Sequence, residues 1–211
     1  MSARDSILSR IRDGLRGVEA PPLPAPDPVP GGPGELAAFR ALAESVGVEF
    51  HDTLASALGD ARSVAVSDAP EVAAAVDRLA AADGGAGGRS FFDGWSDRAA
   101  LLEADAGITT AQYGVAETGT LLLIGDDERH RLVSLLPPLH VALLRRDRIL
   151  PTLGAALAAL RREDPAAMSR VTTFVTGPSR TADIELQLVL GVHGPRALRV
   201  VLTDPPAAAN P

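Results

Sequence analysis

Glu117 is the residue of this chain best placed to do chemistry. It sits in GVAETGTLLL, Gly114 to Leu123, between two apolar runs with the character of strands. A carboxylate at a strand end, beside Thr118 and Gly119, can act as a general base on a carbon acid or as a nucleophile, with room for a ligand or another backbone to approach. The same carboxylate can instead accept hydrogen bonds from loop backbone and hold the turn, and the residues alone weigh the two readings equally. Ser179, Arg180 and Thr181 in GPSRTADIE, Gly177 to Glu185, form a second constellation. A guanidinium forks onto a carboxylate or phosphate, while hydroxyls and glycine-rich backbone add donors. The alternative is a surface loop in which Arg180 pairs with Asp183 or Glu185, or in which those two acids begin a helix. His193, between Gly191 and Gly194, is of the residue type most often used as a general acid or base. His140 follows a proline pair and enters a strand, which fits a satisfied core histidine; His51 and His130 read as surface residues. His193, Asp183 and Glu185 are of metal-ligating types but lack tight ligand spacing, so no metal site is expected.

What the chain lacks narrows its chemistry further. Its 211 residues contain no cysteine, and no lysine occurs in the sequence. No disulfide, thiolate nucleophile or thiolate-held iron-sulfur or zinc site can be built by this chain alone. No Schiff base with pyridoxal phosphate and no P-loop lysine is available either. The net charge of -7 and a pI near 5.1 argue against a nucleic-acid binder, which needs a basic surface. The longest apolar runs fall short of the roughly 18 residues of a membrane span, and the charged N-terminus lacks a secretory apolar core, so a cytoplasmic protein is expected.

The elements that must position these residues follow from periodicity. Ile7, Leu8, Ile11 and Leu15 predict a short amphipathic helix over Ala3 to Leu15, followed by a proline- and glycine-rich stretch, Pro21 to Pro33, in which neither helix nor paired strand can persist. That helix is expected to cover apolar surface of its own domain; the alternative is a docking arm for another chain. Residues 1–34 thus form a leader, 35–204 the domain, and 205–211 a disordered tail. A helix is expected over Glu35 to Val46, a strand over Val48 to Phe50, a helix over Leu54 to Leu58 capped by Asp52, and a strand over Ser63 to Val66. Pro70 opens a helix with Val72, Val76 and Leu79 on its buried face. Strand, helix, strand is the order a parallel sheet requires.

The GGAGG within Asp83 to Gly88 follows a helix rather than a strand, so a flexible turn is favoured over a nucleotide fingerprint. Phe91, Phe92 and Trp95 beside it could line a pocket mouth, core packing being the commoner explanation. After a short helix near Asp97 to Glu103, extended segments are expected over Ala106 to Ala116 and Thr118 to Ile124, the latter returning through a polar turn as a hairpin with Arg131 to Leu136. Leu139 to Leu144 is a further strand, and Asp147 is expected to cap a helix running through Leu150 to Leu160, with Pro151 in its first turn. Strands Val171 to Thr176 and Leu198 to Thr203 bracket two polar loops, the kind of strand-boundary loop at which ligands bind in open α/β sheets.

ADAGIT (Ala104 to Thr109), AETGTLLL (Ala116 to Leu123), SLLPPLHV (Ser134 to Val141), GPSRTADIE (Gly177 to Glu185) and LVLGVHGP (Leu188 to Pro195) together resemble the lactate utilization protein C family, whose shared module is the LUD domain. The resemblance implies a fold like that of the ribose-5-phosphate isomerase and CoA-transferase superfamily: α/β, three-layer, a mostly parallel sheet flanked by helices, with a β-hairpin insertion. It further implies a non-redox subunit of a bacterial system that oxidises L-lactate to pyruvate, with iron-sulfur clusters on cluster-bearing partner subunits of A and B type and no cofactor on this chain. The expected site is a small-carboxylate pocket built from catalytic Glu117 and His193 with Thr118, Gly119, Ser179, Arg180, Thr181, Asp183 and Glu185. The rival readings are a stand-alone isomerase- or CoA-transferase-like enzyme using Glu117 as base or nucleophile, and a purely structural LUD-domain protein.

Overall fold

The computed structural model describes residues 2–18, 32–82, 88–125, 131–163, 171–182, 188–191 and 193–205. Helix α1 (Ala3–Gly14) opens with a capping box: the Ser2 hydroxyl accepts from the Asp5 N–H, and the Asp5 carboxylate accepts from the Ser2 N–H. No residue of α1 is buried among the described residues, which corrects the expectation that it covers its own domain.

The domain runs α2 (Leu36–Ser45), β1 (Val48–His51), α3 (Leu54–Leu58), β2 (Ser63–Val66), α4 (Pro70–Ala82), β3 (Ser90–Asp93), α5 (Arg98–Leu102), β4 (Ala106–Ala111), β5 (Tyr113–Val115), β6 (Thr120–Ile124), β7 (Leu139–Arg145), β8 (Ile149–Leu150), α6 (Leu153–Glu163), β9 (Thr172–Val175), β10 (Arg180–Ala182), β11 (Leu188–Leu190) and β12 (Ala197–Thr203). Two caps differ from expectation. Thr53, not Asp52, caps α3, because its extended backbone lets Oγ1 accept the Ser56 N–H. Asp147 does not cap α6 but pairs with Arg145 at 2.6 Å, beside a 3-10 turn and the short β8. α6 begins later, after Thr152, whose hydroxyl accepts the Ala155 N–H, and Pro151 lies before that cap.

Six strands form a parallel sheet in the order β1-β12-β7-β4-β2-β3. Such strands are buried on both faces, so β4 and β7 read as continuous apolar runs. Ile108, Val141, Leu143 and Val201 face α3 and α4. On the opposite face Ala142, Leu144, Leu198 and Val200 meet Phe39 and Ala43 of α2 together with Leu121 and Leu123 of a second sheet, β8-β5-β6-β9. The far side of that second sheet packs Tyr113, Val115, Leu122 and Ile124 against α6. The mostly parallel sheet flanked by helices is thus as expected, and the hairpin insertion is β5–β6, the centre of the second sheet.

The hairpin partner differs from the one expected. Arg131 to Leu136 is a series of turns, and the antiparallel neighbours of β6 are β5 and β9. The apolar residues that mimic a strand there are a plug: Val133 is buried with Ala65, Leu101 and Ala104. Gly107 makes this possible, since a Cβ on it would stand 2.0 Å from the Val133 carbonyl oxygen.

Asp105 ties the amino ends of β2 and β4. Its Oδ2 accepts the N–H groups of Arg62 and Ser63 at 2.8 and 2.9 Å, and its own N–H donates to the Ser63 carbonyl at 2.8 Å. The hydrogen bonds from Ser63 and then Arg62 hold this carboxyl below its ordinary pKa. A depressed folded-state pKa contributes stability that is full above the unfolded value, about 4, and is lost as pH falls through the folded value. Asp105→Ala is therefore expected to cost about 1 kcal/mol near neutral pH, the modest figure reflecting solvent exposure. Urea unfolding should show the gap to wild type closing below about pH 4; a gap that does not change with pH would refute the assignment.

Candidate functional site

Glu117 lies in the turn between β5 and β6, and its carboxylate is committed to backbone. Oε1 accepts the N–H of Leu153, the first residue of α6, at 2.7 Å, while the Glu117 N–H donates to the Pro151 carbonyl at 3.1 Å. A negative charge on those unpaired N–H groups is favourable with the helix dipole. The geometry thus realises the turn-holding alternative, although the side chain remains exposed. Thr118 is exposed beside it, and Gly119 is buried. Gly119 has φ +65°, and a Cβ there would stand 2.4 Å from the Ala43 nitrogen, so the turn rests directly on the α2 backbone.

The other residues divide between two places. Ser179 and His193 meet at a cleft of about 230 Å³ whose lining also includes Ser134, His140, Phe174 and Thr176. The two glycine-punctuated loops are joined there by backbone: Ser179 N–H donates to the Pro195 carbonyl at 2.8 Å, and Gly191 N–H to the Ser179 carbonyl at 3.0 Å. Gly194 lets them close, since a Cβ on it would meet the Ser179 Cβ at 3.2 Å. Arg180 points elsewhere. Its Nη2 donates to the Val46 carbonyl at 2.6 Å, at the C-terminal end of α2, where a cation suits the dipole. Thr181 belongs to β10, in register with Val189. Asp183 and Glu185 lie outside the described residues, and Glu117, Thr118 and Gly119 do not line the cleft.

His140, expected as a satisfied core histidine, is buried as such and also closes the cleft from within. It is the second residue of β7, in register with Gly107 of β4 and Leu198 of β12. Only 1% exposed, it sits with Nε2 2.9 Å from the Thr109 hydroxyl. The signal was present in PPLH: a histidine entering a strand that is apolar on both sides must be buried with a partner. Ser134 and Thr176 carried no comparable signal, because isolated hydroxyls are common in loops. Thr176 also hydrogen-bonds the Thr120 hydroxyl at 2.8 Å, linking the cleft to the first residue of β6.

The cleft opens at the amino ends of β7 and β12, not at the carboxyl ends where open α/β sheets usually bind ligands. β9 is the reason: running antiparallel to β6, it delivers Thr176 to Ser179 to that end of the molecule. Among the described residues its lining holds hydroxyls, two imidazoles and apolar walls, with no carboxylate and no guanidinium. Such a site suits a small ligand rich in hydrogen-bond acceptors. For Glu117, Glu117→Ala is expected to lower stability by about 1 kcal/mol, and Glu117→Gln, which keeps an acceptor, by less. Equal urea midpoints for both variants and wild type would show that the contact with α6 contributes nothing.

The model of the LUD domain family matches residues 70–203, which include the Glu117 turn and both cleft loops. Lactate utilization protein C of Halalkalibacterium halodurans is 38% identical over 105 residues, 48% of this chain and 46% of that protein. The protein of the same name from Anoxybacillus flavithermus is 39% identical over 107 residues, 50% of this chain and 47% of that protein. The matched segment spans less than half the length of these curated relatives. In fold, the chain resembles the crystal structure of a DUF162 family protein from Deinococcus radiodurans, with a TM-score of 0.53 at 24% identity over 79% of this chain and 94% of that one. The family match extends across most of the α/β domain, and the chain belongs to the LUD domain family.

Proposed function

We propose that this chain serves lactate utilization as a non-redox, cytoplasmic subunit that holds a small carboxylate in the cleft while electrons pass through iron-sulfur clusters on A- and B-type companions. The observation that carries the reading is the meeting of the Ser179 and His193 loops over buried His140, within the segment that the LUD domain model matches, in a chain similar to proteins named lactate utilization protein C. The absence of cysteine supports the division of labour, since thiolates for a cluster must come from other chains. Among the described residues no helix is long and apolar enough to cross a membrane.

On this reading the Ser179 hydroxyl donates to a carboxylate oxygen, and His193 at the rim supplies a further donor. His140, fixed by Thr109, faces the ligand from the protein side. The apolar walls, Phe174 and Leu198 among them, shield these hydrogen bonds from water.

Calorimetry with L-lactate and pyruvate is expected to show binding, weakened about tenfold by Ser179→Ala or His193→Ala, the loss of one hydrogen bond of about 1.4 kcal/mol. Co-expression with the cluster-bearing companions should recover a complex. Failure of both acids to bind, with no complex recovered, would end the proposal. A mass adduct after incubation with acyl-CoA that disappears in Glu117→Gln would instead identify a stand-alone transferase.

A further inference from the structure

The loop that carries Ser179 is held from outside the cleft, and the contacts that hold it close into a circuit. At the C-terminal end of α2 the Val46 carbonyl accepts from Arg180 Nη2 at 2.6 Å. One residue earlier in the loop, the Ser179 N–H donates to the Pro195 carbonyl at 2.8 Å, and the Ser179 carbonyl accepts the Gly191 N–H at 3.0 Å. Pro195 leads into β12 through Arg196, whose N–H donates to the Pro138 carbonyl at 2.8 Å. There Leu198, itself a wall of the cleft, is in register with Val48 of β1, and Val48 follows directly on Val46 and Gly47. Each step of this circuit is made by backbone except one, and that one is the Arg180 guanidinium.

Two glycines show that the guanidinium is built into its place. Gly47 has φ +92°, and a Cβ on it would stand 2.5 Å from Arg180 Nη2, so a side chain there would take the space that the guanidinium occupies. Gly177 has φ +88°, and a Cβ on it would stand 2.7 Å from the Val46 carbonyl oxygen. The loop therefore meets one carbonyl from both sides of Ser179, by close backbone approach at Gly177 and by a hydrogen bond at Arg180. That carbonyl lies at the negative end of the helix dipole, where a cationic donor makes the stronger bond. Ser179 lines the cleft and Arg180 does not.

We propose that Arg180 is a positioning residue for the cleft: by binding the Val46 carbonyl it fixes the loop that presents the Ser179 hydroxyl, without touching the ligand. The proposal rests on the reading of this cleft as the ligand site. A loop ordered before the ligand arrives spares the entropy of ordering it on binding, so loss of the bond weakens affinity rather than unfolding the protein.

Amide hydrogen exchange followed by NMR tests the circuit without any ligand. In Arg180→Met, which keeps the aliphatic reach and removes the donor, the Ser179 and Gly191 N–H groups are expected to exchange about tenfold faster. Exchange at Ala142, in the middle of β7, and the melting curve should stay close to wild type, because the Arg180 side chain is exposed. Arg180→Lys, which retains a cationic donor, should return most of the protection. Calorimetry with L-lactate and pyruvate should show affinity about tenfold weaker in Arg180→Met and largely recovered in Arg180→Lys. Unchanged exchange at Ser179 and Gly191 in Arg180→Met overturns the proposal, and so does a rise shared equally by Ala142, the mark of a general loss of stability. Exchange as fast in Arg180→Lys as in Arg180→Met, or wild-type affinity despite a loosened loop, overturns it too. Wild-type protein that binds neither acid ends the carboxylate reading of the cleft, while the exchange rates still decide whether Arg180 holds the loop.

Discussion

The last turn of α2 is the support on which the loops of this protein rest. Gly119 lies against the Ala43 backbone, a Cβ on Gly177 would stand 2.7 Å from the Val46 carbonyl oxygen, and Arg180 donates to that same carbonyl. Phe39 and Ala43, on the buried face of the helix, are fixed in the apolar layer between the sheets. Burial anchors the helix, the anchored helix offers its unpaired carbonyl end, and separate segments of chain are located by touching it. The Glu117 turn and the start of the Ser179 loop thus take their positions from a helix that lines no part of the cleft.

That arrangement explains which parts of the fold were legible in sequence. Parallel strands such as β4 and β7 announce themselves as short apolar runs, and α4 by Pro70 and the spacing of Val72 and Leu79. Leu132 and Val133 carry the same apolar signal but fold as a plug, because whether an apolar run pairs or plugs depends on a distant residue, here Gly107. The caps failed for a local reason. Asp52 and Asp147 have the right side chain, but the extended position just ahead of α3 belongs to Thr53, and at the start of α6 it is Thr152 that takes the Ala155 N–H.

The site was legible in part. Gly177, Ser179, Gly191 and Gly194 marked the two loops, and the structure brings those loops together. Side-chain direction was not written in the motif: Ser179 turns to the cleft and Arg180, one residue later, to α2. Nor could residue types alone show that His140, an ordinary core histidine by its surroundings, also reaches the wall of a cavity.

The bond from Leu153 to Glu117 has a wider meaning. A helix N-terminus is among the few places where a protein without lysine can receive an anion through backbone alone. At α6 the N–H of the first residue is already given to the protein's own carboxylate. Glu117 behaves as an internal ligand, occupying the dipole before any solute can. The carboxylate of the family motif AETGTLLL is thus committed to the fold, while the motifs SLLPPLHV, GPSRTADIE and LVLGVHGP are the ones that bring Ser134, His140, Ser179 and His193 to the cleft.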